Sequence, residues 1–532
     1  MEGLVKVKVA LFSVSDRTGL VEFARDVKTF GVELLATGGT HSALKEAGVE
    51  ARSLQDDLKL PTALDGRVKT LHAPLHAAIL AKATEGHMSE LKAMGVKPLD
   101  MVVCNFYPFL EASKGPNATD ERMVENIDIG GPTMVRGSSK NFERVLVVPS
   151  PRFYAGVIEE LKRNDGGTTR EFRRRMAAEA FSITASYDSA IFRKLSPPSG
   201  DLPGRLIVSA SKYKDAKYGE NPGQKAVIYS IDGWNTMASW KQLAGDVLSF
   251  NNFLDIGGAY EMVEGYEGQA AVATVKHGQI SGFALAPTVA EAYGLAHACD
   301  PEADFGGTVV SNKAVDAQAA RLIGKNEGVR DNSVYTEIVI APEYAQDAVA
   351  ILEKKQKKKI RVIQAATRPD YPYDLKVIEG AVLAQEAVDY SRKLDSSLLT
   401  YPTRAKPDAG TLAKLTAAWE VVRRVQSNGI VVADGSLEGG RLTKFWTLGV
   451  GSFRKRNGAV TIALNNAGVR ARGAVCASDG FFPFRDSVDL LGEAGVKAVI
   501  QPGGSANDAA SIQACDEHDM AMVFTQTRAF KH

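Results

Sequence analysis

The first 150 residues alternate between apolar runs of strand length and amphipathic runs of helix length, and this alternation constrains the fold more than any other feature. "VKVALFSV" leads into "SDRTGLVEFARDVKTFG", and "VELLAT" leads into "GGTHSALKEAG"; the apolar runs "LDMVVCNFYPF" and "ERVLVVPS" come later. When a helix separates successive strands, the chain crosses a face of the sheet and the next strand runs parallel. Such crossovers are right-handed. The pattern predicts an α/β fold with a mostly parallel sheet, Ser15 as N-cap of the first helix and Gly31 as its stop.

A chain of 532 residues exceeds what one core supports. Pro, Gly and Ser cluster in "KLSPPSGDLPGRL" at 194–206, which reads as a linker. The boundary is placed near 200, giving domains 1–200 and 201–532. The second region is again α/β and ends with "GVKAVIQPGG", the helix "SANDAASIQACDEHD" and the strand "MAMVFTQTR". The basic run in "ILEKKQKKKIRVI" reads as a solvated helix face. The sequence carries no internal repeat at a fixed short period.

Charge and cysteine usage narrow the function classes. A formal net charge of +1 gives no global electrostatic case for nucleic acid or an anionic membrane. No apolar run approaches the roughly 20 residues of a membrane span, and the N-terminus lacks the features of a signal peptide. Cys104, Cys299, Cys476 and Cys515 lie far apart, and His72 and His76 come without an HExxH pattern. The expectation is a soluble cytoplasmic protein with no metal site.

Polar residues gather where strands end. Ser13, Ser15 and Arg17 follow the first strand, and Thr37, Gly38 and Thr40 follow the second; both turns enter helices. A helix N-terminus presents unpaired N–H groups and partial positive charge, which suits a phosphate. "DGRVKTLH" supplies Arg67, Lys69 and Thr70, "NFYPF" supplies Asn105 and Tyr107, and "ENIDIGGPTMVRGSSKN" supplies Asp128, Ile129, Gly130 and Lys140. Singly, each has a plain reading as a solvated charge, a core edge or a turn. Together, cations, a carboxylate and a phenol suit an anionic heterocycle that exchanges protons. In the second region "AAVATVKHGQISGFAL" runs as an apolar strand into Lys276 and His277. Such a pair is as readily a surface strand end as a site, where ligands meet the carboxyl ends of strands. A histidine beside a fixed positive charge can relay a proton near neutral pH. Further candidates are Lys217 and Tyr218 in "KYGENPGQ", Asn252 in "LSFNNFLD", Phe305 and Gly306 in "DFGG", Glu337, Asn428 in "RVQSNGIVVA", Asp479 and Phe482 in "ASDGFFPFRD", and Arg528 in "TRAFKH".

Taken in order, "FSVSDRTGLVEFA", "GRVKTLH", "CNFYPF", "IDIGGPTMVR", "KYGENPGQ", "ASDGFFPFRDSVD" and "IQPGGSAND" resemble the bifunctional family that joins IMP cyclohydrolase to AICAR transformylase in purine biosynthesis. Residues 310–470 match more weakly. The resemblance implies an N-terminal methylglyoxal-synthase-like domain and a transformylase of two cytidine-deaminase-like halves without zinc. It also implies a homodimer with transformylase sites across the subunit interface. The substrates implied are AICAR, formyl-AICAR and IMP, with 10-formyltetrahydrofolate as co-substrate and no metal required. By resemblance, Lys69 and Lys140 polarise substrate oxygens, Asp128 and Tyr107 manage protons, and Ser13, Ser15, Arg17, Thr37, Gly38 and Thr40 cradle the phosphate. His277 moves the proton of formyl transfer, Lys276 holds charge, Asn428 orients the formyl group and Arg528 binds the nucleotide phosphate.

Arg17 stands where the family has Lys. Gly223 stands where it has His, Ile280 where it has Pro, and "GVGSFRKRNG" at 449–458 replaces a "GAGQxSR" stretch. The last three lie in the transformylase region. Two alternatives follow: an active cyclohydrolase with an altered or donor-switched transformylase half, and a nucleotide-binding regulatory protein.

Overall fold

Four short, mostly buried runs in the first part of the chain and the short edge run Arg52–Ser53 become five parallel strands, in the order β3-β2-β1-β4-β5. They are β1 (Val9–Ser13), β2 (Glu33–Ala36), β3 (Arg52–Ser53), β4 (Met101–Cys104) and β5 (Leu146–Val148). The computed structural model describes residues 3–58, 67–107, 109, 119–196, 202–325, 336–354 and 359–532. Its two units are Met1–Ala210 with Ile231–Gly233, and Ser211–Ser230 with Trp234–His532. The linker residues 197–201 and the basic residues 355–358 lie outside the described residues.

In the first unit the helices that matter are α1 (Leu20–Lys28), α2 (Gly38–Glu46), α3 (Ala73–Leu80), α4 (Gly130–Lys140) and the long α5 (Arg170–Leu195). Helix α1 starts later than the sequence suggests. Gly19, not Ser15, is its N-cap, in left-handed conformation and without a side-chain cap. The chain between β1 and α1 is therefore an open loop. Strands β1 and β4 lie side by side where the order of the sheet reverses, the position at which such sheets open a crevice beyond their carboxyl ends.

The second unit is built on one sheet of 11 strands. Its first half runs β6 (Lys241–Ala244), α6 (Phe250–Met262), β7 (Ala270–Lys276), β8 (Gln279–Ala286), α7 (Val289–His297), β9 (Thr308–Ser311), α8 (Ala317–Lys325), β10 (Ile338–Ala341), α9 (Ala348–Lys354) and β11 (Arg361–Gln364). Its second half runs α10 (Ala409–Val422), β12 (Gly429–Glu438), β13 (Arg441–Ser452), α11 (Arg456–Ala467), β14 (Val475–Ser478), α12 (Asp486–Glu493), β15 (Ala498–Gln501), α13 (Asp508–Glu517) and β16 (Ala521–Phe524). From α6 and from α10 onward the two halves have one plan: a helix, a hairpin, then three parallel strands separated by helices. The sheet order is β6-β11-β10-β9-β7-β8-β13-β12-β14-β15-β16. Strands β8 and β13 join the halves antiparallel, so one half is inverted against the other.

The inversion decides which residues share an edge. β7 and β14 to β16 end at the edge where β8 to β13, apart from β13 itself, begin. The apolar run around Lys276 is thus the first strand of a hairpin. Lys276 pairs with Gln279, leaving His277 and Gly278 as a two-residue turn.

Candidate active sites

In the first unit two helix N-termini are furnished for an anion. Thr37 stands at the N-cap of α2, and its hydroxyl donates to Ser13 Oγ at 2.8 Å instead of capping the helix. The Lys69 ammonium lies against Gly38, and a β-carbon on Gly39 would stand 2.6 Å from Arg17 Nη2. Two cations thus sit at the positive end of a helix, an arrangement that costs energy until an anion joins them. Only glycine leaves room for them there.

Asn105 holds the loop after β1. Its Oδ1 accepts from the N–H groups of Ser15 and Asp16 at 2.7 and 2.9 Å, and its Nδ2 donates to Asp16 O. The Thr40 hydroxyl is spent on the backbone of Val14, accepting at 3.0 Å and donating at 3.1 Å. It fastens the loop and leaves only its amide for a ligand.

The second N-terminus is that of α4. Asp128 Oδ1 accepts from Gly131 N at 2.8 Å and Oδ2 from Tyr107 N at 3.3 Å. Burial raises the Asp128 carboxyl above its ordinary value, while these two N–H bonds pull the other way. Thr70 lies against Gly130, so adjacent residues 69 and 70 reach both helix N-termini. Ile129 and Tyr107 are exposed beside them. Arg67 is paired with Glu125 on the surface. Lys140 occupies the last turn of α4, about 15 Å along the axis from Gly130. There it complements the negative helix end. Sequence reasoning missed Tyr187 on α5. Its hydroxyl accepts from Asp128 N at 2.7 Å, and nothing in its local sequence signals this.

In the second unit the shared edge collects the candidates of both halves. The Lys276 ammonium donates to Phe305 O at 2.7 Å. His277 and Gly278 have φ of 52° and 70°, a turn whose twist matches a hairpin. Asp255 on α6 accepts from Gly278 N at 3.0 Å. Burial raises the Asp255 carboxyl, opposed by that bond and by the charge of His277. Gln279 Nε2 donates to Gln426 Oε1 at 3.0 Å, tying the turn to the segment that carries Asn428.

Asn428 is already occupied. Its Nδ2 lies 3.1 Å from both Phe453 O and Arg454 O, and its Oδ1 accepts from Arg456 Nη2 at 2.8 Å. Arg456, a buried residue that sequence reasoning passed over, also pairs with Asp479 and bonds Ser478 Oγ. The only hint was its place in the altered stretch 449–458. The C-terminal segment lines the same place: Ala529 N donates to Asp479 O, and Ser427 N to Lys531 O. Exposed Arg528 stacks over Phe530, with its guanidinium carbon 4.6 Å from the ring centre.

Other candidates serve structure. Phe482 is completely buried in the core and cannot touch a ligand; Phe481 and Phe484 carry the exposed rings. Asp479 is also completely buried, engaged with Arg456. Asn252 completes a capping box with Ser249 and donates to Glu337 Oε1 at 3.1 Å, and Arg361 binds the same oxygen. Lys217 lies 5.8 Å from the Tyr218 ring centre. Gly306 and Gly223 have φ of 74° and 95°, so the turn itself disfavours a histidine at 223.

A parallel-sheet unit with paired helix N-termini, followed by a duplicated mixed-sheet unit with its own polar edge, defines a two-site α/β protein. The MGS-like domain family matches residues 19–133, and the AICARFT/IMPCHase bienzyme family matches 138–466. Proteins named "Bifunctional purine biosynthesis protein PurH" are similar throughout. That of Desulfitobacterium hafniense (strain DSM 10664 / DCB-2) is 40% identical over 98% of this chain and 99% of its own. That of Acetivibrio thermocellus is 40% identical over 99% and 100%, and that of Thermoanaerobacter sp. (strain X514) 41% over 99% and 100%. The chain belongs to the AICARFT/IMPCHase bienzyme family.

Proposed function

We propose that this chain catalyses both reactions of its family: formylation of AICAR by 10-formyltetrahydrofolate, and closure of formyl-AICAR to IMP with loss of water. The observation that carries the reading is the convergence of Lys69 and Arg17 on the N-terminus of α2 while Thr70 and Asp128 stand at that of α4. The first N-terminus takes the nucleotide phosphate, and the second faces the reacting base.

In ring closure the carboxamide nitrogen attacks the formyl carbon and loses a proton, the formamido nitrogen loses its own as the C=N bond forms, and the former formyl oxygen departs with two protons as water. Asp128, at the N-terminus of α4 and with its carboxyl raised above the ordinary value by burial, supplies the proton for that departure. Lys69 neutralises the anion, with Tyr107 beside Asp128.

In formyl transfer the AICAR amine attacks the formyl carbon and the folate nitrogen leaves. The amine is a poor nucleophile because it is conjugated to the ring, so its proton must be taken as the bond forms. His277, exposed on the hairpin turn, takes it, and Lys276 supplies fixed positive charge. Arg528 binds the nucleotide phosphate. The enzyme works as a cytoplasmic homodimer without a required metal.

One observation favours a second reading for this half. The Asn428 carboxamide is saturated by Phe453, Arg454 and Arg456, so orienting a formyl group costs it a bond. A donor other than 10-formyltetrahydrofolate fits that state. Assaying both half-reactions of the full chain separates the readings. Lys69→Met is expected to slow cyclisation about 10²–10⁴-fold and leave formyl transfer at the wild-type rate. Loss of both activities together, or formyl transfer from another donor alone, overturns the main reading.

A further inference from the structure

The hairpin that carries Lys276 and His277 is irregular. Thr274 pairs with Gly282 but Val275 pairs with Ile280, so Ser281 is an extra residue, a bulge on β8 just after the turn. Bulges bend a strand and re-aim a side chain. The Ser281 hydroxyl lies 2.7 Å from Asp304 Oδ1 and 2.9 Å from Thr274 Oγ1. A carboxylate only accepts, so at Asp304 the Ser281 hydroxyl is the donor. The other Asp304 oxygen takes His297 Nδ1 at 2.7 Å, from α7. Tyr293, one turn earlier on α7, stacks on His297 with ring centres 5.7 Å apart. Asp304 is buried, and a buried carboxylate persists only when its oxygens are satisfied.

What this network holds is the residue after Asp304. Phe305 O is the acceptor for the Lys276 ammonium. The loop is pinned further by Gly307 N donating to Asp304 O, and by Glu337 N donating to Gly307 O. The Phe305 ring is exposed, so its own side chain contributes little to fixing its carbonyl.

We propose that Asp304 is a positioning residue for formyl transfer: held by Ser281 at the bulge and by His297 of α7, it fixes the Phe305 carbonyl that aims the Lys276 ammonium. The inference rests on Lys276 acting in formyl transfer, and its test keeps the two apart. Formyl transfer and cyclisation are measured for the full chain as wild type, Lys276→Met, Asp304→Ala, the double variant and Asp304→Asn. Asp304→Ala should lower kcat for formyl transfer about ten- to a hundredfold, as a misaimed group does, with cyclisation unchanged. In the Lys276→Met background the same substitution should cost nothing further. Asp304→Asn, whose amide oxygen accepts from Ser281 and whose NH₂ meets the other His297 tautomer, should restore most of the rate. A crystal structure of Asp304→Ala should show Lys276 Nζ withdrawn from Phe305 O, a readout that needs no turnover. Full activity in Asp304→Ala, an equal loss in both backgrounds, no rescue by Asn, or a retained Lys276–Phe305 contact overturns the proposal. A fully active Lys276→Met enzyme overturns the functional reading beneath it.

Discussion

The two halves of the second unit share a plan but differ at the tips of their hairpins. In the second half, Glu438 pairs with Arg441 around Gly439 and Gly440, with φ of 56° and 78°. In the first half the same turn is made by His277 and Gly278, with φ of 52° and 70°. One backbone conformation is thus filled once by glycine, which adopts it freely, and once by histidine, which pays about 1–2 kcal/mol to hold it. The inverted packing of the halves carries the difference further. The His277 tip points to the edge where Asn428, Asp479 and the C-terminal segment gather, and the glycine tip points to the opposite edge. Of these two tips, the strained residue stands at the one that faces the other polar groups.

The sharpest way to break this comparison is at His277. His277→Ala should depress formyl transfer about 10²–10⁴-fold and spare cyclisation, as measured by separate assays of the two steps. His277→Gly keeps the turn without strain, so it should be equally inactive with no loss of melting temperature. A destabilised His277→Gly protein would show that histidine is there for the fold. Next in size is Arg456 in the second half. Arg456→Ala leaves Asp479 buried without its partner, and urea unfolding should show a loss of about 3–5 kcal/mol. A near-neutral result would mean that the pair adds little and that Asn428 needs no such support.

Gly439→Ala probes the bare turn. It should lower stability by about 1 kcal/mol without changing either rate; a loss of formyl transfer would put the second tip in the chemistry as well. Smallest is the pH response of Asp255, which grips the His277 turn. Its carboxyl is raised by burial, so the folded state holds its proton more tightly than the unfolded state does. Its contribution therefore disfavours folding above the folded-state pKa and fades as pH falls. Asp255→Asn, which keeps an acceptor for Gly278 N, should be at least as stable as wild type in mildly alkaline solution, with the gap closing on acidification. The opposite trend in pH-dependent unfolding would reverse the assigned direction.

Much of this was legible along the chain. Helices α1 and α2 of the first unit and its strands β1, β2, β4 and β5 follow from periods that local sequence carries; α3, α4 and the long α5 were not read from it. The glycines at 38 and 39 announced a helix N-terminus, and the helix starts at Gly38. The hairpin at Lys276 was missed because His-Gly is not one of the usual two-residue turn pairs and polar residues at a strand end also read as a site. Phe482 was misread because a ring in a polar motif carries no mark of which way it faces.

By itself the sequence determined the α/β class, the family motifs and the chemical groups available, since each is written in neighbouring residues. Tertiary structure decided which groups meet. Lys69 reaches Gly38 across 31 residues, Asp128 is held by Tyr187 across 59, and Arg456 joins Asn428 to Asp479 from a third element. Such contacts depend on strand order and on the inversion of one half against the other, and no local pattern encodes either. That is why Lys140, close to Asp128 in sequence, lies a helix length away, while Asn428 and Gln279, far apart in sequence, border one edge.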